Sequence, residues 1–152
     1  MKVAELMSRD VEFIGKNDTI QAAAVLMGEI DVGALPVGST DAPLGVITTR
    51  DVLFRVCSTG KDPATTLVAE AMTEHVHTCD PDEDVEAALD LMAGYHVRRL
   101  LVRDSDGKTV GWLTLGDISR KLLIDSGTVR DGLADLSRYS RREVSDGNHS
   151  RD

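Results

Sequence analysis

The sequence predicts an α/β (α+β) protein made of two pseudo-symmetric β-α-β-β-α repeats packed face to face, and three observations carry that prediction. Sliding the chain by 65 residues sets Val3-Ala4-Glu5-Leu6-Met7-Ser8 on Val68-Ala69-Glu70-Ala71-Met72-Thr73, and Val11 on Val76, which establishes an internal repeat. The same shift sets Ile20, Ala23, Ala24 and Met27 on Val85, Ala88, Leu89 and Met92. That i, i+3, i+4, i+7 apolar stripe reads as one amphipathic helix per repeat. Third, each repeat has an apolar strand that runs through Gly-x-x-Thr-x-x-Asp into a helix, with Gly45, Thr48 and Asp51 in the first copy and Gly111, Thr114 and Asp117 in the second.

The remaining elements follow in chain order. Each repeat opens with a short helical lead-in and a first strand. Asn17-Asp18-Thr19 and Asp82-Glu83-Asp84 precede the two stripes as caps and first-turn acids. Ala34-Leu35-Pro36-Val37 and Arg99-Leu100-Leu101-Val102 are apolar strands that follow the helices, and turn-rich stretches at 38–43 and 104–107 fold each back into a hairpin. The closing helices are expected over 51–57 and 117–124, with Gly60 and Pro63 marking the linker at 58–66. This gives residues 1–60 as repeat 1, 61–127 as linker and repeat 2, and 128–152 as a C-terminal extension. The extension is expected to be disordered from about 138, where apolar residues run out. One repeat alone would bury too little surface, so the two should share a core.

Composition narrows the function. At 152 residues and 41% hydrophobic the chain can bury a real core, and with 3% aromatics that core must be aliphatic. A net charge of −9 argues against a nucleic-acid polymer as partner, because a phosphate backbone calls for a basic face. Small anions remain possible where arginines cluster. No apolar run reaches the roughly 18 residues of a membrane span, and Glu5, Arg9 and Asp10 interrupt any signal-peptide core. A soluble, cytoplasmic protein is expected, with Cys57 and Cys79 as reduced thiols.

The Thr-x-x-Asp step has two readings. It puts a hydroxyl at a strand end and a carboxylate in the first helical turn, a plausible place to hold a ribose and its phosphates. It is also a helix N-cap, with threonine capping and aspartate reaching back. Spacing by itself favours the cap, so the surroundings must decide.

The surroundings carry a resemblance. The repeated Val-Ala-Glu-x-Met-Ser/Thr lead-in, the Val32-Gly33-Ala34-Leu35-Pro36-Val37 strand and the repeated Gly-x-x-Thr-x-x-Asp step together resemble a tandem pair of CBS (cystathionine β-synthase) domains, a Bateman module, from Val3 to about Ile124. The resemblance implies a stand-alone regulatory or sensor module that binds adenosyl ligands (AMP, ADP, ATP or S-adenosylmethionine) in clefts between the repeats. It further implies a homodimer, an unknown protein target and no catalytic residues. The alternative is a ligand-free interaction or scaffold protein of the same fold.

Residue by residue, the family's ribose-binding aspartate matches Asp51 and Asp117, and its hydroxyl matches Thr48 and Thr114. Arg98-Arg99 looks like the basic pair that reaches phosphates in some members; its first-repeat counterparts, Gly33 and Ala34, carry no charge. In the family each site borrows base-binding backbone from the other half. That sets Val32, Gly33 and Ala34 beside the Asp117 site, and Val97 and Arg98 near the Asp51 site. Phe13 stands where the second half has Thr78, and its bulk could fill an adenine pocket.

Other patterns point less far. His75, His77 and Cys79 alternate and would share a strand face at a spacing that suits a metal. A fourth ligand is missing, and no metal or other cofactor is expected. No nucleophile, base and orienter group together, so an enzyme is not expected. The closing helices carry Val52, Leu53, Val56, Ile118, Leu122 and Leu123, more apolar residues than one core face requires, which suggests the dimer surface. Trp112 shares a strand face with Thr114 and is expected to report on the Thr114 and Asp117 site.

Overall fold

The computed structural model describes residues 1–124, 127 and 131; apart from Asp131, the 128–152 extension and its expected disorder lie outside the described residues. Residues Met1–Thr114 form one compact unit, and a second begins at Leu115.

Within the first unit the elements run α1 (Val3–Leu6), α2 (Ile20–Ile30), β1 (Ala34–Gly38), β2 (Pro43–Thr48), α3 (Thr49–Asp51) continuing as a π-helical stretch (Val52–Cys57), α4 (Val68–Ala71), β3 (Thr73–Glu74), β4 (Thr78–Cys79), α5 (Val85–Tyr95), β5 (Arg99–Arg103) and β6 (Thr109–Thr114). They make two three-stranded sheets, ordered β1-β2-β3 and β4-β5-β6. The fold is the mixed α+β, two-repeat architecture expected. Both hairpins are present, with Leu35 opposite Ile47 and Leu100 opposite Leu113. The second unit opens with α6 (Leu115–Ile124).

The amphipathic stripes fold as helices with three of their four positions buried, Ala24 being exposed and Leu89 half-buried. Ile20, Ala23 and Met27 of α2 are buried, as are Val85, Ala88 and Met92 of α5. Thr19 caps α2, its hydroxyl accepting from the Ala22 N–H at 3.1 Å. Both helices end on a residue in the left-handed conformation, Asp31 at φ 55° and His96 at φ 54°. That turn releases the chain toward the next strand.

The first strands fall short of expectation. In the second half it is only β4, and in the first half a single parallel bridge between Ile14 and Val37 stands in its place. At His75 the backbone turns to φ 75°, so the extended run begins later than the alternation of His75, His77 and Cys79 suggests.

The lead-ins are exchanged. Val68 and Ala71 of α4 are buried in the core of the first half with Ile14, Ile20, Leu35, Ile47 and Val56. β3 pairs with β2, Gly45 opposite Glu74. Reciprocally, the Val3 N–H donates to the Glu83 carbonyl at 2.9 Å and Ser8 bridges to Trp112. In space, each half is completed by the lead-in of the other. This exchange explains the glycine of the repeated motif. A Cβ on Gly45 would run into the Thr73 carbonyl oxygen, and one on Gly111 into the Met7 side chain and the Ser8 carbonyl. Only a residue without a side chain lets the foreign lead-in cross so closely.

The apolar residues of the closing helices divide: Val56 and Ile118 are fully buried, whereas Leu53 and Leu122 are more than half exposed. Phe54, which the sequence pattern does not single out, is 54% exposed beneath the Arg50 guanidinium.

Candidate functional site

The first Gly-x-x-Thr-x-x-Asp copy closes on itself. The Asp51 N–H donates to Thr48 Oγ1 at 3.1 Å, and the Thr48 N–H donates to Asp51 Oδ2 at 3.0 Å. That is the reciprocal capping box the spacing allows. The second carboxylate oxygen, Oδ1, lies 3.5 Å from the Thr73 hydroxyl and 3.7 Å from Arg55 Nε. Asp51 is therefore a buried carboxylate with one oxygen committed to the cap and the other held by longer contacts. Its cap partner Thr48 keeps a hydroxyl proton to donate.

Thr48 and Thr73 open onto a cavity of about 460 Å³, within the size range of small-molecule sites. The lead-in exchange builds it. One wall is β3 and the chain that follows, contributing residues 73–77. A second is the left-handed exit from α5, contributing His96, Val97, Arg98 and Arg99. Val46 of β2 and Trp112 of β6 supply apolar surface. An aromatic ring and valines beside two guanidinium groups make a cavity with one surface for a flat apolar group and another for an anion.

Arg99 is half-buried and makes no hydrogen bond or ion pair among the described residues. Burial first, and then the Arg98 guanidinium, hold it below the ordinary arginine value, still within the range where the side chain is charged. A partly desolvated guanidinium without a partner attracts an anion more strongly than a hydrated one.

The structure thus brings Thr48, Val97, Arg98 and Arg99 into one cavity, with Asp51 behind its threonines. Val32, Gly33 and Ala34 lie outside its lining. Val32 is partly exposed, Ala34 is buried opposite Thr48, and the Gly33 carbonyl accepts from the Thr49 N–H at 3.0 Å. Thr78 is exposed on β4 and also outside it. Thr114 ends β6 in the first unit; Asp117 belongs to the second, where Arg120 Nη2 lies 3.4 Å from its carboxylate.

Trp112 lines the cavity that contains Thr48, which brings it to the first copy of the motif. The sequence puts Trp112 and Thr114 on one strand face, but which half supplies the opposite wall depends on the lead-in exchange. His75, His77 and His96 also line the cavity. The alternating pattern groups the first two with Cys79, which is instead buried, its thiol pushed up to about 12 by burial and by Glu83 and Asp80. Among the described residues no three His, Cys, Asp or Glu side chains group to hold a metal ion. The exchanged β3 is the signal that local sequence lacks, because only its pairing carries residues 73–77 over to Thr48.

Two repeats that complete each other around a half-apolar, half-cationic cavity define a tandem-repeat module. The CBS domain family matches residues 3–58 and again 68–124, and the chain belongs to that family. It is 34% identical over 146 residues to protein YlbB of Bacillus subtilis (strain 168), covering 93% of this chain and 95% of that one. A CBS-domain protein from Burkholderia ambifaria MC40-6 superposes with a TM-score of 0.76 at 30% identity, covering 83% of this chain and 96% of the other. The CBS domain pair of protein MJ0100, solved in complex with 5′-methylthioadenosine and S-adenosylmethionine, gives a TM-score of 0.70 at 26% identity, covering 80% and 99%. Among the described residues no helix is long and apolar enough to cross a membrane.

Proposed function

We propose that this protein is a regulatory module that binds an adenosyl ligand in the cavity between β2, β3 and the exit of α5, and acts by binding rather than by catalysis. One observation carries the reading: Thr48 of the first repeat and Val97, Arg98 and Arg99 of the second line the same cavity of about 460 Å³. In this reading the ribose sits at Thr48 and the nearby Asp51 carboxylate, the base lies among Val46, Val97 and Trp112, and the phosphates face Arg98 and Arg99. The adenosyl ligands of the MJ0100 pair support that ligand class. By the family resemblance Thr114 and Asp117 each take the ribose-binding role in the second copy of the motif, and Val32, Gly33, Ala34 and Thr78 the base-side role. A cytoplasmic homodimer acting on a separate protein target completes the proposal, with exposed Leu53, Phe54 and Leu122 as the apolar residues available for self-association.

A thermal-shift panel of AMP, ADP, ATP, S-adenosylmethionine and NAD tests it, since a ligand that binds only the folded state stabilises by RT ln(1 + [L]/Kd). At least one adenosyl ligand should raise the midpoint, and the Thr48→Val variant should reduce that rise. Calorimetry showing no heat for any of them up to millimolar concentration would favour the scaffold reading. The observation behind that alternative is that Thr48 and Asp51 satisfy one another in a capping box.

A further inference from the structure

Of the chain's four histidines, three line this one cavity: His75, His77 and His96. They come from two separate segments, and no imidazole among them hydrogen-bonds another described residue. His77 lies flat on Tyr95, ring centroids 4.1 Å apart, and His75 and His96 are held in left-handed backbone conformations at φ 75° and 54°. The other charged groups that face the cavity are Arg98, Arg99 and one carboxylate, Glu74. Asp51 lies behind the threonines with its carboxylate turned to the Thr48 N–H, Thr73 and Arg55. With neutral imidazoles the lining carries two cations and one anion; protonation adds up to three more cations. Histidine is the side chain whose ordinary pKa lies close enough to neutrality for a bound anion to draw a proton onto it.

We propose that His75, His77 and His96 are specificity-determining residues through which the cavity takes up protons with its ligand, so that it prefers nucleoside polyphosphate to nucleoside monophosphate or to a sulfonium nucleoside, by a margin that widens as pH falls. The inference rests on the nucleotide-binding reading above. Each phosphate brought beside an imidazole favours its charged form, and by linkage the protonated cavity holds that phosphate more tightly. The cationic sulfonium of S-adenosylmethionine gains nothing from this and meets more repulsion at low pH. The site therefore discriminates its ligands by charge, and the discrimination depends on pH.

The test is titration calorimetry of the full chain with ATP, without added divalent metal, at pH 6, 7 and 8 in buffers of different ionisation enthalpy. Adenosine serves as the uncharged comparison, and the wild type is set beside a variant carrying His75→Asn, His77→Phe and His96→Asn. Asparagine tolerates the left-handed backbone at two of these positions, and phenylalanine keeps the stack on Tyr95 at the third. Comparing the two proteins cancels the titration of ATP itself. The wild type should take up about one proton more per ATP at pH 7 than the variant, and between pH 6 and 8 its ATP affinity should fall about tenfold more. Between pH 6 and 8 adenosine affinity should change by the same factor in both proteins. Imidazole proton resonances of the wild type give a reading that needs no variant: all three midpoints should rise by about half a unit on adding ATP, each such rise taking up about a quarter of a proton. Equal proton uptake with unmoved midpoints would overturn the inference while nucleotide binding stood. No binding heat for ATP at any pH would overturn the inference, and the nucleotide-binding reading falls with it if adenosine, AMP and S-adenosylmethionine also give none.

Discussion

Residues 96–99 and their repeat counterparts 31–34 share a backbone and differ in charge. Both segments leave a helix through a left-handed residue, at φ 54° and 55°, and enter the first strand of a hairpin. One reads His-Val-Arg-Arg and the other Asp-Val-Gly-Ala; upstream, the His75 and His77 positions correspond to Asp10 and Glu12. The backbone has to be alike in both because the helix exit, the strand pairing and the lead-in crossing are needed twice for a closed core. The side chains facing the cavity carry no such constraint. One copy became cationic and the other acidic.

The sharpest way to break the comparison is to remove the charge from the cationic copy. Arg98→Ala with Arg99→Ala should weaken ATP by about 1.5–3 kcal/mol for each charge-assisted hydrogen bond removed, and leave adenosine within a factor of a few. Calorimetry on both ligands checks this; equal losses would place the arginines on the base or the fold.

The motif glycines sharpen it next. Gly45→Ala drives a Cβ into a backbone carbonyl, whereas Gly111→Ala also meets the flexible Met7 side chain. Overpacking of this kind costs about 1–3 kcal/mol, so Gly45→Ala should approach the upper end and Gly111→Ala the lower. Denaturant unfolding at fixed slope measures both, and the reverse order would mean that the second crossing is the more rigid.

A smaller effect separates the aspartates. Trp112 fluorescence should change saturably on titration with the cognate nucleotide, and Asp51→Ala should abolish the response while Asp117→Ala preserves it. Asp51→Ala also removes a cap worth about 1 kcal/mol, so circular dichroism should confirm folding at the titration temperature. Loss of the response in Asp117→Ala alone would overturn the placement of Trp112.

The smallest effect concerns the lead-ins. Lys2 bridges to Asp84 and pairs with it at 2.9 Å, while at the equivalent place in the other half Thr19 bridges to Leu67. The Lys2 ammonium holds the Asp84 carboxyl below its usual value. Its contribution is therefore present above the ordinary carboxylate range and is lost as pH falls through the lowered value. Both side chains are exposed, so Lys2→Ala should lower the melting midpoint only slightly, less at high salt, and not at all once Asp84 is protonated.

Much of this protein is written in local sequence. The stripes from Ile20 and Val85, the caps at Thr19 and Thr48, and the two hairpins follow from periodicity and turn chemistry, because those forces act between residues a few positions apart. The offset of 65 also makes the duplication plain. The short first strands are less legible, since a positive φ at His75 is invisible in an alternating pattern.

What only the tertiary structure decided was partnership. Nothing local to Gly45 says that it lies beneath Thr73, or that Trp112 lines the cavity of Thr48. Nothing local separates Cys79 from His75 and His77, or sends Val56 inward while Phe54 stays out. Each depends on which lead-in completes which half. Both lead-ins carry nearly the same residues, so their sequences alone do not decide between docking at home and docking across. The exchange is set by the summed burial and strand pairing of the whole core, a property of the assembled chain and of no single stretch within it.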